Sequence, residues 1–305
     1  MTAVDRAQDA TSAPVPVPSR ELDREIWAMA WPAMLSLIVV NLVDIVDVAL
    51  VGRLGRQTVA AWGYATQSVN LVETLIVSVG IACVALVARA IGAGDPRRAR
   101  QALAASMLVS ESVALLGFLL TLFAPRAILR WLDATPDVIE IAVPYFRLSS
   151  GAMLLYAAAF MFECRFRAHK NTRLPMVVAF TVMSVKGALS LTLIFGALGL
   201  PRLGLVGAGI ATILAHAVGL LLYLVFTGRA LPASETSNGS GLRRRFDGLR
   251  GFWVVAADVT LVSLPSMGER LIMSFALLAY FKLLSTYGSA AVAAYAIGVR
   301  LLSIS

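Results

Sequence analysis

The sequence predicts an all-α polytopic membrane protein, and three observations carry that expectation: its apolarity, the length of its apolar runs, and an internal repeat. Of 305 residues, 59% are hydrophobic and only 14% charged, and mean hydropathy is +0.80. Ordinary soluble domains have about 25% charged residues. An α-helix needs about 20 predominantly apolar residues to cross the hydrocarbon core of a bilayer. Such runs fall at 25–51, 62–91, 101–124, 140–163, 175–199, 204–228 and 259–286, with a stub at 290–305. The sixth run contains no Asp, Glu, Lys or Arg. The third and seventh carry internal charges and rest partly on the repeat.

The repeat appears when the chain is slid by 233 residues without a gap. Pro32 then lands on Pro265, Gly55 on Gly288, Val59-Ala60-Ala61 on Val292-Ala293-Ala294, and Trp62 on Tyr295. Membrane transporters are commonly built from two repeats with the substrate path between them. The second copy starts near Gly251, so the expectation is one full repeat followed by the opening of its partner. The domains read accordingly: a disordered tail over 1–20, a six-helix unit over 21–229, a linker over 230–250 rich in Ser, Gly and Arg, and the start of a second unit over 251–305.

Each element has its local reason. The first span leaves through a short turn around Gly52–Gly55, and the second ends in IGAGDPRRAR, where Gly92, Gly94 and Pro96 stop the helix. The third exits at Ala124-Pro125 into an amphipathic connection bearing Trp131 and Tyr145, residues suited to a membrane interface. The fourth runs into ECRFRAHKNTRLP, closed by Pro175. The fifth ends at FGALGLP, and GLVGAGIAT opens the sixth with small residues that let helices approach closely. Pro32 and Pro265 either kink their helices or sit in a first turn, where proline costs nothing.

The net charge of +8 would suit nucleic acid in a soluble protein, but its distribution is a topology signal. Alternate connections hold 15 Lys and Arg on one side against five on the other. The positive-inside rule puts the basic side, with the N-terminus, in the cytoplasm, and the expected location is a bacterial-type inner membrane. The polar, Pro-rich first 20 residues have no apolar core and are not a signal peptide. Cys83 and Cys164 both fall in spans, so they read as buried thiols rather than a disulfide.

Seven pieces in order resemble the multidrug and toxic compound extrusion (MATE) family: WP…VDIVDVALVGRLG…VAAWG, IGAGD, PYFRL, NTRLPM, GLVGAGIAT, LPSMGERL and YGSAAVAAYAIGVR. The resemblance implies a twelve-helix fold of two six-helix lobes. On it, this sequence holds the N-lobe, helix 7 and part of helix 8, and transport requires the rest of the C-lobe. It implies a secondary active antiporter, not an enzyme, exporting amphipathic or cationic small molecules across the lipid bilayer. No cofactor is implied beyond H⁺ or Na⁺ as coupling ion, and no GxxxxGK[ST] motif points to ATP.

Charged side chains inside a bilayer cost a few kcal/mol each by insertion scales, so each needs a partner, a cavity or a function. Asp44 and Asp47 are three apart and share a helix face. Asp47 matches the family's cation-coupling aspartate and is the one place where Na⁺ is expected; the plain alternative is an acid satisfied by water or Arg53. Where the family's fifth helix often has Asn and Asp, this chain has Lys186 and Ser190. Lys186 reads as an internal counter-ion to Asp47, competing with a bound cation, or as the partner of Glu73 or Glu111. Glu73, Gln67, Asn70, Tyr64, Met153 and Tyr156 are candidates for a substrate cavity, and Glu269 matches a family glutamate in the seventh helix, with Arg270 beside it. His216 reads as a packed core residue, and Glu163 as an ion pair with Arg165 or Arg167.

Two other functions fit parts of the pattern. A flippase for lipid-linked precursors shares the superfamily and would need a strongly basic cavity. An intramembrane prenyltransferase-like enzyme would use Asn41-x-x-Asp44-x-x-Asp47 to hold Mg²⁺-diphosphate, and would need a second Asp-rich helix that the sequence lacks.

Overall fold

The computed structural model describes residues 19–196, 201–230 and 242–288, together with 291, 294, 295 and 298. Among these residues it is helical with no strand. The elements are α1 (Ser19–Gly52), α2 (Arg56–Gly92), α3 (Pro96–Phe123), α4 (Pro125–Trp131), α5 (Pro136–Ala168), α6 (Arg173–Phe195), α7 (Leu205–Ala230) and α8 (Leu242–Ser285). All but the short α4 are long and apolar enough to cross a membrane. The expected disorder of the tail, apart from its last two residues, and most of the expected stub at 290–305 lie outside the described residues.

The helix ends follow from local chemistry. The Asp95 carboxylate accepts hydrogen bonds from the backbone N–H groups of Arg97 and Arg98, at 3.1 and 3.0 Å, and so caps α3. Pro96 stands at the first helical position, where its missing N–H is no loss. Gly196 ends α6 at φ +72, a left-handed conformation that a residue without a Cβ adopts freely. Several helices start before the expected spans, among them α2 at Arg56 instead of 62 and α3 at Pro96 instead of 101. α5 starts at Pro136, earlier than the span at 140, because Pro136 opens a helix that continues through the apolar run. α8 starts at Leu242, inside the stretch read as a linker.

Pro32 and Pro265 lie inside α1 and α8, not in a first turn. Pro32 cannot donate to the carbonyl one turn back. The Ser36 hydroxyl donates to the Pro32 carbonyl at 2.8 Å, which adds a side-chain bond to the weakened turn.

Packing places α2 and α5 side by side at the centre. α3 lies against both, α7 covers the other side of α5, and α6 pairs with α7. α1 leans chiefly on α6 and touches α2 only lightly; α8 lies across α2 and α3. Lipid tails are as apolar as leucine, so helices in a bilayer associate through close packing rather than by escaping the solvent. Ala60, Ala61, Ala65 and Ala142 are accordingly buried where α2 and α5 meet, in the cluster that also holds Trp62, Tyr145 and Phe146. The outer faces remain apolar and uncovered, as with Met34, Ile38 and Leu42 on α1.

Candidate ion and substrate cavity

One face from each of α1, α2, α5, α6 and α7 turns onto a common cavity of about 500 Å³. The lining follows helical spacing. α7 contributes Ala208, Thr212, His216, Gly219 and Tyr223, and α1 contributes Ser36, Val40, Asp44, Asp47 and Val51, steps of three and four residues that mark one helix face. On α5 the lining runs from Tyr145 to Arg167. At about 1.5 Å per residue that is roughly 33 Å, comparable to the hydrocarbon thickness of about 30 Å. The cavity is therefore a cleft along most of the bundle's height.

Lys186 holds one part of it. Its ammonium lies 2.7 Å from Asp47 Oδ2 and 3.4 Å from Asp44 Oδ1. The helical spacing of the two aspartates puts both on the face of α1 that meets α6. These groups are largely buried, with Asp47 only 8% exposed. A charge in such surroundings requires a partner with good geometry. Lys186 thus pairs with the two aspartates rather than with Glu73 or Glu111, and Asp47 meets Lys186 instead of Arg53. Asp47 Oδ1 is buried with no hydrogen-bond partner.

A second polar group lines the same cavity toward the C-terminal end of α5. Glu163 pairs with Arg167 one turn on, and the Tyr223 hydroxyl on α7 donates to Glu163 Oε2 at 3.3 Å. Between the two groups, Tyr156 stacks on Phe160 with centroids 5.5 Å apart and meets the His216 ring edge-on at 5.4 Å. Tyr156 and Glu73 line the same cavity.

Of the expected cavity residues, Glu73, Asn70, Met153 and Tyr156 line it together with Asp44, Asp47 and Lys186. Four others do not. Tyr64 is buried in the α2–α5 core, and Gln67 is displaced about 100° around α2 from Thr66, which takes the lining position. Ser190 is fully buried one turn beyond Lys186, away from the cavity. Glu269 is exposed on α8. Glu111 lies outside the cavity too.

The sequence reading missed Thr66, Tyr145, Ser149 and Arg167 as lining residues, and gave Glu163 and His216 only structural roles. Counting in threes and fours from Met153 along α5 would have reached Tyr145, Ser149, Glu163 and Arg167. The thiols of Cys83 and Cys164 are free and buried, as expected. Among the described residues no group of three His, Cys, Asp or Glu side chains is placed to hold a metal ion.

A helical bundle that sets a charged cleft inside membrane-spanning segments defines an integral membrane protein with an intramembrane site. The MatE family profile matches residues 32–193, more than half of the chain, and the chain belongs to that family. It is 23% identical over 291 residues to the probable multidrug resistance protein NorM of Thermotoga maritima, an alignment covering 93% of this chain and 60% of the relative. It is 29% identical over 238 residues to the protein of the same name from Bradyrhizobium diazoefficiens, covering 77% and 51%. The chain thus spans about half to three-fifths of the length of these relatives. Among solved structures, a mutant of the Vibrio cholerae MATE transporter VcmN superposes with a TM-score of 0.74 at 26% identity, covering 92% of this chain and 61% of the other.

Proposed function

We propose that the chain forms the N-terminal lobe of a secondary active antiporter that exports cationic, amphipathic small molecules. On this reading residues 21–229 form the lobe, α8 opens the second lobe, and transport requires the remainder of that lobe. The N-terminus lies in the cytoplasm and the membrane is a bacterial inner membrane, as the Arg and Lys distribution supports. The single observation that carries the proposal is Asp47, buried on the wall of a cleft and bound to Lys186.

The chemistry follows from that pairing. Asp44 and Asp47 tie α1 to α6 through one ammonium, and α6 is the main neighbour of α1. A proton or Na⁺ arriving at Asp47 competes with Lys186 for the carboxylate. Release of the pair loosens α1 from α6, the local change through which ion binding is coupled to rocking of the lobes. Tyr156, Phe160 and Met153 offer apolar and aromatic surface for the body of a guest, and aromatic faces attract cations.

Charge favours this reading over its rivals. The cavity presents four carboxylates (Asp44, Asp47, Glu73 and Glu163) against Lys186 and Arg167. That excess attracts organic cations and opposes the pyrophosphate of a lipid-linked precursor. A prenyltransferase-like reading would need Asp44 and Asp47 for Mg²⁺-diphosphate, but Lys186 engages both.

The test is export of ethidium from an efflux-deficient bacterium expressing the chain completed by its C-lobe. Asp47→Asn is expected to abolish export while leaving the protein in the membrane. Wild-type export by that variant would overturn the proposal.

A further inference from the structure

We infer that Glu163 is a second docking point for the organic cation, at the opposite end of the cleft from Asp47, and that Arg167 holds its place until a guest displaces it. The inference rests on the antiporter reading for the nature of the guest. It goes beyond that reading in naming where the guest first meets the chain.

The two carboxylates stand far apart. Val48, next to Asp47, and Val51, one turn on, pack in one cluster with Tyr145 of α5. Glu163 lies eighteen residues further along α5, about 27 Å at 1.5 Å per residue, and lines the same cavity. A cation the size of ethidium is shorter than that, so it meets one carboxylate or the other. On the proposed orientation the Glu163 end is the cytoplasmic one, because α5 runs on into a basic connection.

Glu163 is open to the cleft where its neighbours are packed. Its side chain is 22% exposed and that of Arg167 38%, whereas Tyr223 beside them is buried. The two carboxylates are also neutralised differently. Lys186 reaches Asp47 from another helix, so that pair holds α1 to α6. Arg167 reaches Glu163 from one turn further along the same helix, so this pair fastens no two elements together. Partly exposed pairs at that spacing are weak and shift an equilibrium only about twofold.

Arg167 can therefore swing toward water without disturbing the packing. The Tyr223 hydroxyl, 3.3 Å from Oε2, meanwhile keeps the carboxylate aimed from across the cleft. Tyr223 is itself held by stacking on Phe166, with centroids 6.1 Å apart. A carboxylate fixed by a buried hydroxyl and covered by a cation that leaves at little cost is a place where one cation exchanges for another. Further along the cleft, the stacked rings of Phe160 and Tyr156 offer aromatic surface between this end and Asp47.

The experiment is a fluorescence titration of ethidium against the purified chain in phosphatidylcholine nanodiscs. Asp47→Asn should leave a binding phase in place. Glu163→Gln added to it should weaken that phase about tenfold, the worth of one charge-assisted contact. Arg167→Gln should instead tighten it about twofold, since it removes the competitor. That sign separates docking from structure, because a pair that only held the fold would weaken binding when Arg167 is lost. Glu163→Gln with Arg167→Gln strands no charge and should bind as weakly as Glu163→Gln alone, which guards against a folding defect in the single variant.

Ethidium affinity unchanged by Glu163→Gln would overturn the inference, as would weaker binding on loss of Arg167. Loss of all binding with Asp47→Asn alone would mean a single cation site, which sinks the inference and leaves the antiporter reading standing. Binding of no ethidium by the wild-type chain would sink both.

Discussion

Lys186 is the residue on which the local energetics turn. It sits between two carboxylates within a membrane-spanning bundle, and removing one partner of a buried pair leaves uncompensated charge, at a cost of about 3–5 kcal/mol. Lys186→Met should therefore lower the thermal unfolding midpoint of the detergent-solubilised chain markedly. The double variant Lys186→Met with Asp47→Asn should recover much of that loss, since one of the stranded charges is gone. Asp47→Asn alone should cost less than Lys186→Met, because Asp44 stays 3.4 Å from the ammonium. Unfolding of Lys186→Met at the wild-type midpoint would mean that the pair carries little of the lobe's stability.

At the scale of elements, the fold depends on how closely α6 and α7 approach. A Cβ built on Gly207 would lie 2.7 Å from the Leu193 carbonyl oxygen, a backbone atom that cannot swing aside. Gly207→Ala should separate these helices and cost about 1–3 kcal/mol, as overpacking does, readable as a lower unfolding midpoint. At Gly187, also on α6, a Cβ would meet nothing within 4 Å. Gly187→Ala should be neutral or stabilise by about 0.5–1 kcal/mol through lost backbone freedom in the unfolded chain. The contrast separates packing from helix propensity, since both substitutions are the same on the same helix pair. The small-residue string GLVGAGIAT announced tight contact in the sequence, but its partner, the end of α6, became visible only in the fold.

For the whole molecule, the proposed topology is testable at two exposed arginines, Arg97 and Arg202. The native thiols are buried, so an introduced cysteine can be read against a silent background. In intact cells a membrane-impermeant maleimide should label Arg202→Cys at once and Arg97→Cys only after permeabilisation. The reverse order would invert the assignment drawn from the basic connections. The number and position of the spanning helices were legible because a bilayer imposes length and apolarity on each segment separately. The cavity was legible in part: of the substrate-cavity candidates, Glu73, Asn70, Met153 and Tyr156 line it, and Asp44 and Asp47, read as cation-coupling residues, stand on the same wall. Tyr64, Gln67 and Glu269, read as cavity candidates, do not line it, since an apolar helix shows no amphipathic stripe to tell a cavity-facing position from a packed one.

The sequence by itself determined the helical spans, the asymmetry of basic connections, the repeat and the presence of intramembrane charge, all of which are local or compositional. Only the tertiary structure decided that Lys186 meets Asp44 across 142 residues, that Asp47 takes the shorter contact, and that Glu163 with Tyr223 shares the same cleft. The physical reason is that helical period fixes which residues share a face, while the pairing of faces is set by where helices cross. Those crossings depend on small-residue contacts such as Gly207 against Leu193, which no single helix contains.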